Sequence, residues 1–254
     1  MSGWNERRRQ LGTRLQSLGR ALEDPGRLWR KLTGVHIDEE IARLASRPYL
    51  RADSVRTVLD VGANEGQFAR TALHAFAGAK VICFEPLPSV QAALRTLAAD
   101  SDGRVELQPF ALGDREGQTE FHISSFSPSS SVLPLDQPIA ALGDQIKMTA
   151  TVQVSLRRLA DWAASRSIAD EIIIKLDVQG YEASVLRGAG DFLARPRLVI
   201  AETTFAPIYA GQASLGELCA ILEPHGLKYR EAFGVIRDGT TGEPLWQDSV
   251  FVRS

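Results

Sequence analysis

The sequence is poor in cysteine, histidine and aromatic residues. It has two cysteines and four histidines among 254 residues, and aromatic side chains make up 7%. Cys83 and Cys219 stand apart in apolar surroundings, without CxxC spacing or nearby histidines. Neither a disulfide framework nor a zinc site is therefore predicted, and a reducing compartment is favoured.

Long apolar runs and a strong charge of one sign are also missing. No run approaches the roughly 20 residues that span a bilayer, and the first residues lack the apolar core of a secretory signal. The sequence therefore predicts a soluble, cytoplasmic protein. The net charge is -2, which gives no sign of a basic face for nucleic acid.

Residues 1–32 differ in charge from the remainder of the chain. They carry eight basic and three acidic side chains, whereas the remainder carries 21 basic and 28 acidic ones. This segment also has a tryptophan and four leucines at helical spacing: Trp4, Leu11, Leu15, Leu18 and Leu22. The pattern predicts a basic amphipathic helix within a helical extension over residues 1–50. Such a helix can lie peripherally on the inner face of an anionic membrane, or it can pack against the domain or a second subunit.

Residues 51–254 alternate between apolar runs and helical patterns, as expected of one α/β domain. The apolar runs predict strands at 57–61, 80–85, 104–109, 171–177 and 197–202. Between the runs, helices are predicted at 66–77, 88–99, 156–165 and 181–188. This alternation is typical of a parallel sheet covered on both faces, and residues 227–233 and 248–254 predict a closing antiparallel hairpin.

A substrate-side insertion is predicted near residues 115–155. Its two ends, 117–123 and 149–155, have the pattern of extra strands. They flank the serine-rich segment, residues 124–138, which is too long and polar for a simple connection. Such a segment is usually a functional loop or disordered. We expect it to lie beside the substrate, with disorder as the alternative.

Acidic residues stand where four of the predicted strands end: Asp60, Glu85, Asp177 and Glu202. Ligands of parallel α/β sheets bind at this edge. The DVGANEG turn after the first strand has glycines and acids, which repel a pyrophosphate but suit an ammonium or sulfonium. Glu85 follows Gly66 by 19 residues and can accept hydrogen bonds from a ribose diol. Together these features predict S-adenosylmethionine (SAM) as the ligand, and a plain βα turn is the alternative.

Several segments together resemble the FkbM-type SAM-dependent methyltransferases: LDVGANEGQF, FEP, PFALGDREG, VQVSLRRLADW and KLDVQGYEASVLRGA. The resemblance implies a class I methyltransferase (Rossmann-like) fold, a seven-stranded and mostly parallel sheet with only the last strand reversed. It also implies O-methylation of a hydroxyl, in many members that of a sugar in a glycolipid, a polysaccharide or a secondary metabolite. It assigns the methionine side of SAM to Asp60, Gly62, Asn64 and Gly66, the ribose to Glu85, and the adenine pocket to Phe110, Ala111 and Leu112.

The predicted reaction needs a base, because a sugar hydroxyl is a weak nucleophile near neutral pH. Asp177 is the first candidate, and Glu182, Glu202 and His122 are the others. Lys175 precedes Asp177 by two residues, so both should face one side of the strand. A buried ion network that only holds strand to helix is the alternative. Three acids could also hold a divalent ion, but no metal motif supports this, and no metal is predicted.

Two other functions are compatible with this type of chain. An NAD(P)-dependent oxidoreductase on a similar fold is disfavoured by the acidic turn and by the lack of a Tyr-xxx-Lys pair. A non-catalytic membrane-docking or scaffold protein is the second alternative. The sequence identifies neither the acceptor nor the oligomeric state.

Overall fold

The computed structural model describes residues 37–125, 127–135, 148–205, 208–238 and 241–254. The amphipathic helix predicted within residues 1–32 lies outside these ranges. In the described part of the chain, no helix has the length and apolar character needed to cross a bilayer.

The described residues contain ten strands in two sheets. They are β1 (Thr57–Val61), β2 (Lys80–Phe84), β3 (Val105–Gln108), β4 (Ala111–Leu112), β5 (Gly117–Ser124), β6 (Met148–Arg157), β7 (Ile172–Leu176), β8 (Leu198–Thr204), β9 (Leu227–Arg237) and β10 (Pro244–Arg253). The central sheet has seven strands in the order β3-β2-β1-β7-β8-β10-β9. Only β10 runs against the others, since it is antiparallel to both of its neighbours. The predicted seven-stranded class I sheet is therefore confirmed.

Six helices accompany the strands in the described ranges: α1 (Ile37–Ala45), α2 (Gln67–Ala75), α3 (Pro88–Ala99), α4 (Leu159–Ala164), α5 (Glu182–Ala189) and α6 (Leu215–Leu222). Alternate residues of β1 face two separate apolar cores. Leu59 belongs to one core and Val58 to the other. All five residues of β1 and all five of β7 are buried, as continuous apolar runs in a parallel sheet predict.

The predicted insertion forms a small sheet with the order β4-β6-β5. β5 and β6 pair antiparallel along their length, with Phe121 opposite Val152. The described part of the serine-rich segment pairs with β5 through an isolated antiparallel β-bridge between His122 and Ser131. The insertion therefore has strands of its own and stands beside the central sheet.

The turn between β1 and α2 lies directly against the end of β7. The N–H of Gly62 donates to the carbonyl of Phe84 at 3.0 Å, and the N–H of Asp177 donates to the carbonyl of Val61 at 3.0 Å. Gly62 has a φ of +80°, and a Cβ there would lie 2.0 Å from the carbonyl oxygen of Asp177. Both the backbone angle and the contact therefore require glycine.

We predict that Gly62→Ala destabilises the fold far more than Gly103→Ala. Gly103 has a similar φ of +76° but no atom within 4 Å of its hypothetical Cβ. The control substitution should lower the free energy of unfolding by about 1–2 kcal/mol through backbone strain alone. Gly62→Ala should lower it by at least about 2 kcal/mol more, since the Cβ overlaps a carbonyl. Urea unfolding measures both, and equal losses would contradict the close contact.

Candidate active site

A cleft opens at the carboxyl ends of β1, β2 and β7. Its walls come from the β1–α2 turn, the β2–α3 connection, β4 and the serine-rich segment, which contributes Pro128, Ser130 and Val132. Six of the residues predicted for the site line this cleft: Gly62, Asn64, Glu85, Ala111, Leu112 and Asp177. The other six lie elsewhere: Asp60, Gly66, Phe110, His122, Glu182 and Glu202.

Glu85 is a buried carboxylate held at the end of β2. Its side chain accepts hydrogen bonds from the backbone N–H of Asn64 at 2.9 Å and of Leu87 at 2.8 Å. Burial raises the pKa of Glu85 to about 7, although these two bonds oppose the shift. An ionised carboxylate has about four acceptor positions, so two remain for the hydroxyls of a ribose. These acceptor positions therefore fit the ribose in the adenosine half of SAM.

An apolar wall beside Glu85 fits the flat adenine ring. It consists of Phe84, Leu87, Val90, Ala111 and Leu112. Phe110 stands behind this wall, with its ring 5.8 Å from that of Phe84 and the Arg157 guanidinium 4.7 Å from its centroid. The structure therefore places Phe110 in the core and its two successors in the cleft.

Asp60 and Gly66 flank the turn without lining the cleft. Asp60 is fully buried, and neither of its carboxylate oxygens makes a hydrogen bond of normal geometry with the described residues. Burial raises the pKa of Asp60 to about 6, and the positive charge of Lys175 partly offsets this. Gly66 begins α2 with a φ of +84°, and a Cβ there would lie 2.9 Å from a methyl of Leu94.

An ion pair between Lys175 and Asp177 forms the floor of the cleft. Lys175 Nζ lies 2.9 Å from Asp177 Oδ2, and the two side chains are 8% and 39% exposed. Burial alone would lower the pKa of Lys175, but the charges of Asp177 and Asp60 raise it above its ordinary value. Lys175 therefore remains a cation, and the Asp177 carboxylate opens into the cleft. The prediction that both residues face one side of the strand is confirmed.

Glu182 and Glu202 lie near Asp177 without lining the cleft. Glu182 is 2% exposed and accepts from the backbone N–H of Val178 at 3.0 Å and of Gly180 at 3.3 Å, which braces the turn. Burial raises its pKa to about 7. Withdrawal from water, together with the charges of Asp177 and Glu182, raises the pKa of Glu202. In the ranges described above, no three Asp, Glu, His or Cys side chains group as a metal site.

His122 points away from the cleft. Its neighbour Phe121 lines the cleft, and successive side chains of a strand face opposite sides. His122 Nδ1 lies 3.1 Å from the Thr151 hydroxyl on the paired strand. The structure therefore does not bring His122 together with Asp177.

Two polar residues near Asp177 were not predicted as catalytic. Gln179 donates through Nε2 to Asp177 Oδ1 at 2.8 Å and to Glu202 Oε2 at 2.9 Å. Tyr209 reaches Gln179 Oε1 from the segment after β8, at 3.0 Å. The sequence placed Gln179 beside the Gly180 turn, where it could shape the acceptor site or serve packing alone. It gave no signal for Tyr209, which lies 30 residues further along the chain.

Comparison with known proteins identifies the family. Residues 60–230 match the Methyltransferase FkbM domain. The chain is 30% identical over 196 residues to the 2-O-methyltransferase NoeI of Sinorhizobium fredii, covering 75% of this chain and 78% of NoeI. It is also 30% identical over 193 residues to the 31-O-demethyl-FK506 methyltransferase FkbM of Streptomyces tacrolimicus, covering 66% and 71% of the two chains.

Among solved structures, the magnesium protoporphyrin IX methyltransferase ChlM of Synechocystis, determined with bound SAM, resembles this chain with a TM-score of 0.47 and 12% identity. The alignment covers 91% of this chain and 92% of ChlM. The family match spans well over half of the chain. It identifies a methyltransferase domain and therefore argues against the alternative of an NAD(P)-dependent oxidoreductase. The protein therefore belongs to the FkbM family and is a SAM-dependent methyltransferase.

Proposed function

We propose that the protein transfers the methyl group of SAM to a hydroxyl of a sugar, in a glycolipid, a polysaccharide or a glycosylated metabolite. The observation that carries this proposal is the Asp177 carboxylate, which opens into the same cleft as Glu85 and is anchored on Lys175. Both curated relatives are named as methyltransferases acting on oxygen, which supports a hydroxyl acceptor.

The residues of the cleft fit SAM. Glu85 would receive the ribose hydroxyls, the apolar wall would hold the adenine, and the turn around Asn64 would face the methionine half. When bound, SAM supplies an electrophilic methyl group on a positively charged sulfur. The carboxyl groups of Glu85 and Asp177 line the same cleft and suit that charge.

Asp177 is placed to activate the acceptor. A carboxylate can accept a hydrogen bond from a hydroxyl, orient its oxygen, and take its proton as the new bond forms. Lys175 donates a hydrogen bond to Oδ2 of Asp177, which anchors the carboxylate at the floor of the cleft. Asn64, Gln67 and Ser130 also line the cleft and offer hydrogen bonds to the other hydroxyls of a sugar.

Labelled SAM can identify the acceptor. An extract from a strain that lacks this protein would be incubated with the full chain and with SAM bearing a trideuterated methyl group. We expect mass spectrometry to find one labelled methyl ether on a sugar. A label confined to a nitrogen, a sulfur or a hydroxyl outside any sugar would contradict the proposed acceptor.

We predict that Asp177→Asn lowers methyl transfer by at least about 100-fold, because the amide accepts no proton. The affinity for S-adenosylhomocysteine should stay within about threefold of the natural protein, since Glu85 and the apolar wall are unchanged. Asp161→Asn, at an exposed ion pair on α4, is the matched control and should keep full activity. Full transfer by Asp177→Asn would show that Asp177 is not the base.

The affinity for S-adenosylhomocysteine should depend on pH through Glu85. Because its pKa is raised to about 7, Glu85 is largely protonated at pH 6 and largely ionised at pH 8. Only the carboxylate accepts from both ribose hydroxyls, so binding should strengthen as the pH rises through 7. Glu85→Gln should weaken binding at pH 8 by about 10-fold or more and flatten this dependence. Isothermal titration calorimetry measures both, and an equally steep profile for Glu85→Gln would exclude this role.

We also propose that residues 1–32 hold a cytoplasmic protein at the inner membrane face. The support is the basic amphipathic pattern of this segment in the sequence. The full chain should float with vesicles containing anionic lipid, and a chain lacking residues 1–32 should remain at the bottom of the gradient. Equal flotation of the two chains would exclude this role for the segment.

A further inference from the structure

One neutral side chain joins two acids at the floor of the cleft. The Nε2 group of Gln179 donates to Asp177 Oδ1 at 2.8 Å and to Glu202 Oε2 at 2.9 Å. A side-chain amide has two N–H donors on one nitrogen, so it can satisfy both carboxyl groups at once. Without the shared donor, the two neighbouring acids would repel each other when both are ionised.

The orientation of this amide is determined by its other contacts. The Tyr209 hydroxyl lies 3.0 Å from Gln179 Oε1 and 3.0 Å from the carbonyl of Ser129. The hydroxyl has one proton, which it can donate to either oxygen, whereas the carboxyl oxygens of Asp177 and Glu202 accept from an N–H donor. The amide oxygen therefore faces Tyr209, and the NH2 group faces the two acids.

The backbone of Gln179 is also held in place. Its φ is +53°, a left-handed conformation that is unfavourable for a residue other than glycine. The fully buried Ser131 donates its hydroxyl to the carbonyl of Gln179 at 2.7 Å. Ser131 of the serine-rich segment thus contacts the main chain of Gln179. Ser129 of the same segment reaches the Gln179 side chain indirectly, through the Tyr209 hydroxyl.

We propose, on the basis of the proposed function, that Gln179 is a positioning residue for methyl transfer. It fixes the orientation of the Asp177 carboxylate toward the acceptor and links that carboxylate to Glu202. Lys175 holds Oδ2 of Asp177 and Gln179 holds Oδ1, so the plane of the carboxylate is determined by two anchors. The remaining acceptor positions on its oxygens are left for the hydroxyl of the substrate.

The same arrangement connects the serine-rich segment to the reacting group. Ser129 and Tyr209 orient the Gln179 amide, and the amide in turn orients Asp177. A substitution at Tyr209 should therefore disturb the orientation of the Asp177 carboxylate in the same way as a substitution at Gln179, but less strongly.

The test compares Gln179→Leu with the natural protein by carbon NMR of labelled Asp and Glu carboxyl groups in the full chain. Leucine has a similar size and no donor. The charged and titratable groups coupled to Asp177 and Glu202 are Lys175, Asp60, Glu182, Asp248 and Tyr209, and Gln179→Leu changes none of them. We expect the titration midpoint of Asp177 to rise by about one pH unit, because its ionised form loses a hydrogen bond. The missing signal in Asp177→Asn assigns the resonance.

Two further variants complete the experiment. Gln118→Leu, at an exposed position on β5, is the matched control and should leave the Asp177 midpoint unchanged. Tyr209→Phe should raise the midpoint by a smaller amount than Gln179→Leu. All three should bind S-adenosylhomocysteine within about threefold of the natural protein. With the acceptor identified by the labelling experiment, Gln179→Leu should lower kcat about 10-fold or more at an unchanged KM for SAM.

An Asp177 midpoint that is the same in Gln179→Leu and the natural protein would overturn the proposal. If Gln179→Leu does not fold, Tyr209→Phe decides, and an unchanged midpoint in that variant overturns it. The titration requires neither SAM nor an acceptor. Failure of the proposed function, seen as the absence of a labelled methyl ether, is therefore distinguishable from failure of this proposal.

Discussion

The contact between the β1–α2 turn and the end of β7 is the constraint on which the cleft depends. Gly62 lies against the carbonyl of Asp177 with no room for a side chain. Because β1 pairs with both β2 and β7, this contact brings Glu85 and Asp177 to the same edge of the sheet. The residue that would recognise the ribose and the residue that would meet the acceptor are thus positioned by one turn.

The acids near this turn are stabilised in different ways, and the differences separate their roles. The buried side chains of Glu85 and Glu182 accept hydrogen bonds from backbone N–H groups. Glu202, in contrast, is joined to Asp177 through the Gln179 amide. Asp177 alone among the predicted catalytic acids both lines the cleft and pairs with a buried lysine. A ligand that enters the cleft therefore meets an anion whose orientation is already determined.

Continuous apolar runs and the acids that follow them made much of the fold predictable. The limits of β1 and α3 agree with those read from the sequence, since a buried strand and a helix that begins at proline have clear signals. α6 was missed, although Ser214 caps it by accepting from the N–H of Glu217, and the Ser-x-x-Glu pattern is visible in the sequence.

The candidate site was predictable in its parts but not in its contacts. Glu85 and Asp177 were predicted because each follows a buried strand at the edge where ligands bind, and Asn64 was assigned through the family resemblance. Glu182 and His122 were also catalytic candidates in the sequence. In the structure Glu182 braces a turn, and His122 faces away from the cleft. The link between Gln179 and Tyr209 joins residues far apart in the chain, so only the folded structure reveals it.

A crystal structure of the full chain with S-adenosylhomocysteine is the sharpest test of the proposed site, because it locates both halves of the ligand. We expect the two ribose hydroxyls within hydrogen-bond distance of the Glu85 carboxylate, and the sulfur on the side of the cleft where Asp177 opens. A ligand bound away from Glu85, or one whose sulfur is separated from Asp177 by protein, would contradict it.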